Sequence, residues 1–201
     1  VLDVAEGLGY DPRIGREYLE AGIGFGGPCL EKDMKAFIQF SQMRDYEPHL
    51  FQAVLERNDQ QVQKVVERTS EILGGDLRGK RIAVFGLAFK AGTDDVRGSL
   101  PLRIVEKLMA DGADVRSHDP VAIPQARDLL PQATYCEDPY DAVQDAEALL
   151  LVTDWPEYQR LSYEKIADTM CTPNILDGRN ALDTDKMTGL GFKIWNIGRL
   201  T

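Results

Sequence analysis

The sequence predicts an α/β protein: a parallel sheet with covering helices over residues 76–201, preceded over residues 1–75 by a helical region with a long connecting helix. Two observations carry this. From Lys80 onward, short apolar runs alternate with amphipathic stretches, the pattern of strands that pair in parallel through helical crossovers. Before Gly74-Gly75, apolar residues instead recur at helical intervals from Leu50 to Leu73. At 201 residues the chain can bury a substantial core.

The elements follow in order. Residues 1–7 have the spacing of a helix ending at Gly7. There is no initiating Met, and we read the chain as part of a longer polypeptide. Residues 31–43 place Met34, Phe37, Ile38 and Met43 at helical intervals. After Pro48, the stripe Leu50, Phe51, Val54, Leu55, Val62, Val65, Val66, Thr69, Ile72 and Leu73 is broad. A helix of that length and apolar width joins domains or packs on a partner. In the second region, strands are expected at 81–87, 114–118, 134–136, 148–153, 174–176 and 193–196. Helices are expected at 99–111, 124–130, 140–145 and 163–170. No repeat or low-complexity tract interrupts them.

Composition excludes several classes of function. A formal net charge of −10 argues against nucleic acid, whose recognition needs clustered Lys and Arg, although a local basic pocket remains open. No apolar run reaches the roughly eighteen residues of a membrane span, and no signal peptide is legible, so a cytoplasmic protein is expected. Cys29, Cys136 and Cys171 are odd in number and widely spaced, which fits free thiols. With only His49 and His118 as histidines and no paired-Cys spacing, no metal is expected.

The chemistry is concentrated between Gly22 and Asp33. Gly22, Gly24, Gly26 and Gly27 strip side chains from a loop and permit positive φ, so a ligand can lie against its backbone. Cys29 follows at once, with Lys32 as a cation that favours thiolate and Asp33 one helical turn on. A free Cys is usually a buried packing residue; the flanking glycines and charges point instead to a nucleophile.

In parallel sheets, ligands bind beyond the carboxyl ends of the strands. Phe89 and Lys90, Thr153 and Asp154, and Asp177-Gly178-Arg179 all fall there. Residues 86–91 read Gly-x-Ala-x-x-Ala, without the second glycine that admits a pyrophosphate, so this region is a poor dinucleotide site by itself. Lys90 and Arg179 suit an anionic sugar nucleotide better, because Arg grips phosphate with two parallel hydrogen bonds. Asp119-Pro120 ends the second strand and reads as a turn-forming pair, and Trp155 and Tyr158 as packing residues.

Four motifs occur in one order: Asp11-Pro12-Arg13-Ile14-Gly15, residues 22–33, residues 86–97, and Asp177-Gly178-Arg179-Asn180. Together they resemble the UDP-glucose/GDP-mannose dehydrogenase family. The resemblance covers essentially the whole chain but only the later part of such an enzyme, whose N-terminal dinucleotide-binding domain would precede Val1. It implies a Rossmann-like, UDP-sugar-binding domain behind a central helical region that supports a homodimer or higher homo-oligomer.

Carried over residue by residue, Cys29 matches the catalytic nucleophile and Asp33 the carboxylate that handles the hydrolytic water. Tyr18 and the loop Glu20, Ala21, Gly22, Ile23, Gly24, Phe25 and Gly26 match the surround of the uridine and phosphates. Phe89, Lys90 and Arg179 match further substrate contacts, and Arg13 one that reaches the neighbouring subunit's substrate. Lys32, Arg97 and Cys29 match positions facing NAD. Pro28, Leu30-Glu31 and Gly98 depart from the family pattern without removing a reacting group. The implied reaction is oxidation of UDP-glucose to UDP-glucuronate with two NAD, through a Cys thiohemiacetal and thioester. GDP-mannose and UDP-N-acetylhexosamines are the competing substrates. The competing class is a non-catalytic nucleotide-sugar-binding or oligomerisation module. Since the family's oxyanion-stabilising Lys and water-positioning Asn lie upstream of Val1, the chain alone is expected to be inactive.

Overall fold

A computed structural model describes residues 1–199. Its first helix, α1 (Leu2–Gly9), runs past Gly7, which keeps helical dihedrals, and closes where the Tyr10 N–H bonds back to the Glu6 carbonyl. Helix α2 (Leu30–Gln42) begins on Cys29. Helix α3 (His49–Ile72) ends as expected at Gly74-Gly75, both at positive φ, with the Gly75 N–H on the Ser70 carbonyl at 2.8 Å. Its stripe divides in two. Val62, Val65, Val66 and Thr69 are buried against the second region, whereas Leu50 is 72% exposed and Phe51 and Val54 border solvent.

Six strands follow: β1 (Arg81–Phe85), β2 (Asp114–His118), β3 (Thr134–Tyr135), β4 (Ala148–Leu151), β5 (Asn174–Asp177) and β6 (Lys193–Asn196). They form one all-parallel sheet in the order β3-β2-β1-β4-β5-β6. Chain direction across the sheet reverses between β1 and β4, the place where such sheets open a crevice. Helix α4 (Leu100–Ala110) lies against α3, tied by Arg103 to Asp59 at 2.9 Å and Lys107 to Gln63 at 2.8 Å. Its start is fixed by Ser99, whose hydroxyl accepts the Leu102 N–H, and by Pro101 in the first turn. Helices α5 (Ile123–Leu129), α6 (Pro139–Ala142) and α8 (Tyr163–Thr169) match expected segments within a few residues.

Two short helices were not predicted: α7 (Pro156–Gln159) and α9 (Thr184–Gly189). The α9 start was nevertheless written in the chain, since Asp183 caps the Lys186 N–H. The first strand stops at Phe85 instead of residue 87. Gly86 turns to φ +105°, and the next two N–H groups leave the sheet for the Asp119 carboxylate. The core strands β1 and β4 are buried along almost their whole length, which is why they read as continuous apolar runs. No helix among the described residues is long and apolar enough to cross a membrane.

The carboxyl end of β2 carries a buried polar pair. His118 Nδ1 stands 3.0 Å from the Tyr158 hydroxyl, which also reaches the His118 carbonyl at 2.9 Å, and Tyr158 stacks on Phe85. Burial depresses the His118 proton affinity; the charges of Asp119, Asp138 and Glu137 oppose this and lose. A depressed folded-state value means the unfolded chain takes the proton first. Stability from this group is therefore intact above its ordinary value of 6.5 and drains away as pH falls from there toward the depressed folded value. Denaturation between pH 7.5 and 5.5 should show falling stability, and in His118→Gln the slope should flatten. An unchanged slope in the variant would refute the assignment.

Candidate functional site

The glycine loop of the helical region lies across the carboxyl edge of the sheet. Its centre is clamped by Asn58, a buried polar residue inside the apolar stripe of α3. The Phe25 N–H donates to Asn58 Oδ1 at 2.8 Å, and Asn58 Nδ2 donates to the Phe25 carbonyl at 2.8 Å. Gly24 sits at φ +106°, and a Cβ there would stand 2.3 Å from Asn58 Oδ1, so only glycine permits the clamp. Gly27, at φ +91°, lies under the Phe89 ring, which a Cβ would meet at 2.8 Å. At the other end the loop passes Arg179: a Cβ on Gly22 would stand 3.0 Å from Nη1. Gln61 Nε2 donates to the Gly22 carbonyl at 3.3 Å, and Asn180 Nδ2 donates to the Ala21 and Ile197 carbonyls at 3.2 and 2.9 Å. Ile23 anchors the whole segment in the core, 2% exposed.

Sequence reasoning missed Asn58, Gln61 and the role of Asn180. A polar residue interrupting the apolar face of α3 was the available signal for Asn58. Asn58→Ala removes both clamp bonds and strands two backbone groups, which should cost about 2–4 kcal/mol. Urea denaturation measures this, and a loss below about 0.5 kcal/mol, the range of ordinary surface substitutions, would show that the loop is held elsewhere.

The loop delivers Cys29 to the surface. The thiol is exposed on the residue that caps the start of α2, and the Asp33 N–H closes the first turn on the Cys29 carbonyl at 2.9 Å. Lys32 stands three positions after Cys29 on α2. Its ammonium stands 3.4 Å from Asp33 Oδ1, both side chains being about two-thirds exposed. Arg97 is gripped by both oxygens of Asp95 at 2.7–3.1 Å. Asp95 raises the guanidinium's proton affinity, with a smaller contribution from the sulfur. Beside Cys29, a cleft of about 500 Å³ is lined by Gly27, Pro28, Glu31, Lys32, Lys35 and Gly98.

Phe89 and Lys90 follow β1 as expected, with the Lys90 ammonium 5.5 Å from the Phe89 ring centre. Arg179 follows β5. Its Nε faces Asp154 Oδ1 at 3.3 Å, and its N–H donates to Asp177 Oδ1 at 3.0 Å. Burial raises the Asp177 proton affinity; N–H bonds from Leu182, Arg179, Ala181 and Asn180 restrain the rise. Lys90 and Arg179 thus bracket the loop on its Phe89 and Gly22 sides, outside the cleft beside Cys29. Arg13, Tyr18 and Glu20 lie on the exposed segment that leads into the loop. Arg13 is held by Asp11 and is 87% exposed; Tyr18 is 97% exposed at φ +63°; Glu20 pairs with Arg16 at 2.6 Å.

An all-parallel sheet of this strand order, with its carboxyl edge covered by a thiol-bearing glycine loop, is a Rossmann-like architecture built to receive a ligand at its switch point. Comparison specifies it further. Residues 1–60 match the central domain of the UDP-glucose/GDP-mannose dehydrogenase family, and residues 83–184 its UDP binding domain; the chain belongs to this family. Over 200 residues it is 41% identical to a UDP-glucose 6-dehydrogenase of Bacillus subtilis, covering 99% of this chain and 43% of that relative. A UDP-glucose dehydrogenase structure from the archaeon Pyrobaculum islandicum superposes with a TM-score of 0.84 at 38% identity, covering 98% of this chain and 42% of the other. A UDP-D-ManNAc dehydrogenase structure from Pyrococcus horikoshii gives 0.79 at 27% identity, covering 98% and 44%. The chain therefore spans less than half the length of these proteins.

Proposed function

We propose that this chain is the substrate-binding and nucleophile-bearing part of a cytoplasmic, homodimeric nucleotide-sugar dehydrogenase that oxidises the C6 alcohol of UDP-glucose to the carboxylate. The observation that supports this most is the glycine loop itself, laid between Arg179 and Phe89 and ending on an exposed thiol. The domain boundary at residues 75 and 76 is part of the same reading, as are Tyr18, Glu20, Ala21 and Phe25 around the nucleotide and Arg13 reaching a neighbouring subunit.

The chain's residues fit part of an NAD site. The cleft beside Cys29 carries Lys32 and Lys35, and Arg97 is close, whereas the turn after β1 has no free N–H pair for a pyrophosphate. When bound, NAD supplies the hydride acceptor for both oxidations. The chain's own task is covalent. Once the alcohol has become an aldehyde, the Cys29 sulfur adds to its carbon, giving a thiohemiacetal. Loss of a hydride and a proton from this adduct leaves a thioester, and water then releases the acid and regenerates the thiol. Asp33, in the first turn of α2, takes the proton from that water. Lys90 and Arg179 meet the diphosphate with their positive charges at the carboxyl edge of the sheet.

Calorimetric titration of the chain with UDP-glucose, a UDP-N-acetylhexosamine and GDP-mannose tests the substrate assignment. UDP-glucose is expected to bind most tightly. A clear preference for GDP-mannose would reverse it, and binding without any acid formation by the complete polypeptide would favour the non-catalytic module.

A further inference from the structure

The turn after β1 is closed upon itself. Leu87 and Ala88 each carry one N–H and one carbonyl there, and all four groups are taken by side chains from other elements. The two N–H groups donate to Asp119 Oδ2 at 2.7 and 3.1 Å. The two carbonyls accept from Ser99 Oγ at 2.5 Å and Thr153 Oγ1 at 2.9 Å. Trp155 Nε1 donates to the same Asp119 oxygen at 3.1 Å, and the N–H groups of Val121 and Ala122 donate to Oδ1 at 3.0 and 2.9 Å. Asp119 is only 2% exposed. A buried carboxylate ringed by five N–H donors is an anion bound by the protein, except that the protein supplies the anion as well.

That position has a meaning in this architecture. In a dinucleotide-binding sheet, the N–H groups of the first turn face the pyrophosphate, and an acid after the second strand faces a ribose. Here the acid after β2 has swung onto the first turn and fills the place a phosphate would take. Reading Asp119 only as half of a turn-forming pair is therefore incomplete: Oδ1 forms that turn, while Oδ2 reaches across to β1 and to the segment after β4.

We infer that Asp119 is a specificity-determining and positioning residue, whose carboxylate occupies the anion seat of the β1 turn, refuses a diphosphate there, and holds the following Phe89 and Lys90 in place to receive it beside the glycine loop. The occupied seat stands on the geometry alone; the effect on the sugar nucleotide rests on the function proposed above. Asp119 touches no reacting atom and acts through Phe89 and Lys90, the first of which packs on Gly27 two residues before Cys29.

The test is to empty the seat and refill it. Asp119→Ala leaves the Leu87, Ala88 and Trp155 donors facing a space the size of a small carboxylate. It should lower the melting temperature by about 10 °C and weaken UDP-glucose binding roughly tenfold. Sodium formate should recover most of both and shift the Trp155 emission saturably, whereas sodium chloride at equal ionic strength should not. Asp119→Asn keeps the shape but turns an amide toward two N–H donors. It should fold, lose affinity similarly, and ignore formate because its seat is filled. A folded Asp119→Ala chain with the same response to formate and chloride would overturn the occupied seat. If that variant does not fold, wild-type affinity and melting in Asp119→Asn would overturn the proposal. Formate rescue of melting in a chain that binds no nucleotide sugar would retain the seat and refute the proposed substrate instead.

Discussion

Cys29→Ser, introduced into the polypeptide complete enough to turn over a nucleotide sugar, is expected to reduce acid formation by at least about a thousandfold, because the covalent route is lost. The fold gives no reason for the substitution to act otherwise. Cys29 is exposed, makes no side-chain capping bond, and begins α2 at a position where serine is itself a favoured first residue. Sugar-nucleotide affinity and melting temperature should therefore stay near those of the unaltered protein. A hydroxyl is far less ionised than a thiol at neutral pH and forms the adduct slowly, so the first oxidation is spared more than the second. The measurement is NADH and acid formed per UDP-glucose consumed. Near-normal yields of both from Cys29→Ser would remove the thioester from the mechanism.

Lys90→Ala combined with Arg179→Ala should nearly abolish UDP-glucose binding by this chain. A charge-assisted hydrogen bond to phosphate contributes about 1.5–3 kcal/mol, so each loss corresponds to roughly ten- to hundredfold in affinity. Neither side chain holds the core together. Lys90 is exposed over Phe89, and Arg179 shares a partly exposed contact with Asp154, which removal leaves free to take up water. Arg179→Lys should recover less than half of the lost binding free energy, since an ammonium cannot form the paired contact of a guanidinium. Calorimetry on the four chains decides the matter. Unaltered affinity in both single variants would move the diphosphate away from this edge of the sheet. The cleft beside Cys29, with Lys32 and Lys35, would then be the place to look.

The expected binding residues fall into two groups in the structure. Phe89, Lys90 and Arg179 fall at the ends of β1 and β5 because strand ends are set by local pattern, and chemistry at strand ends follows from the sheet being parallel. Lys32, three positions after Cys29, shares its side of the helix, and its ammonium rests 3.4 Å from Asp33 Oδ1. Arg97, sixty-eight positions away in sequence, is near enough for Cys29 to add a little to the rise in its proton affinity, most of which comes from Asp95. Arg13 is held only by the neighbouring Asp11 among the described residues, and Tyr18 is almost fully exposed, so both side chains face solvent.

Periodicity, capping residues and glycine positions were enough for the α/β class, the parallel sheet and the loop that presents a thiol, because each leaves a pattern of residue types that is legible along the chain itself. What holds that loop was decided only by tertiary structure. Asn58 reaches Phe25 across 33 positions, Asn180 reaches Ala21 across 159, and Asp119 reaches Leu87 across 32. Hydrogen bonds of that range depend on where packing of the sheet against α3 and α4 carries the polar groups, and no local pattern encodes that destination.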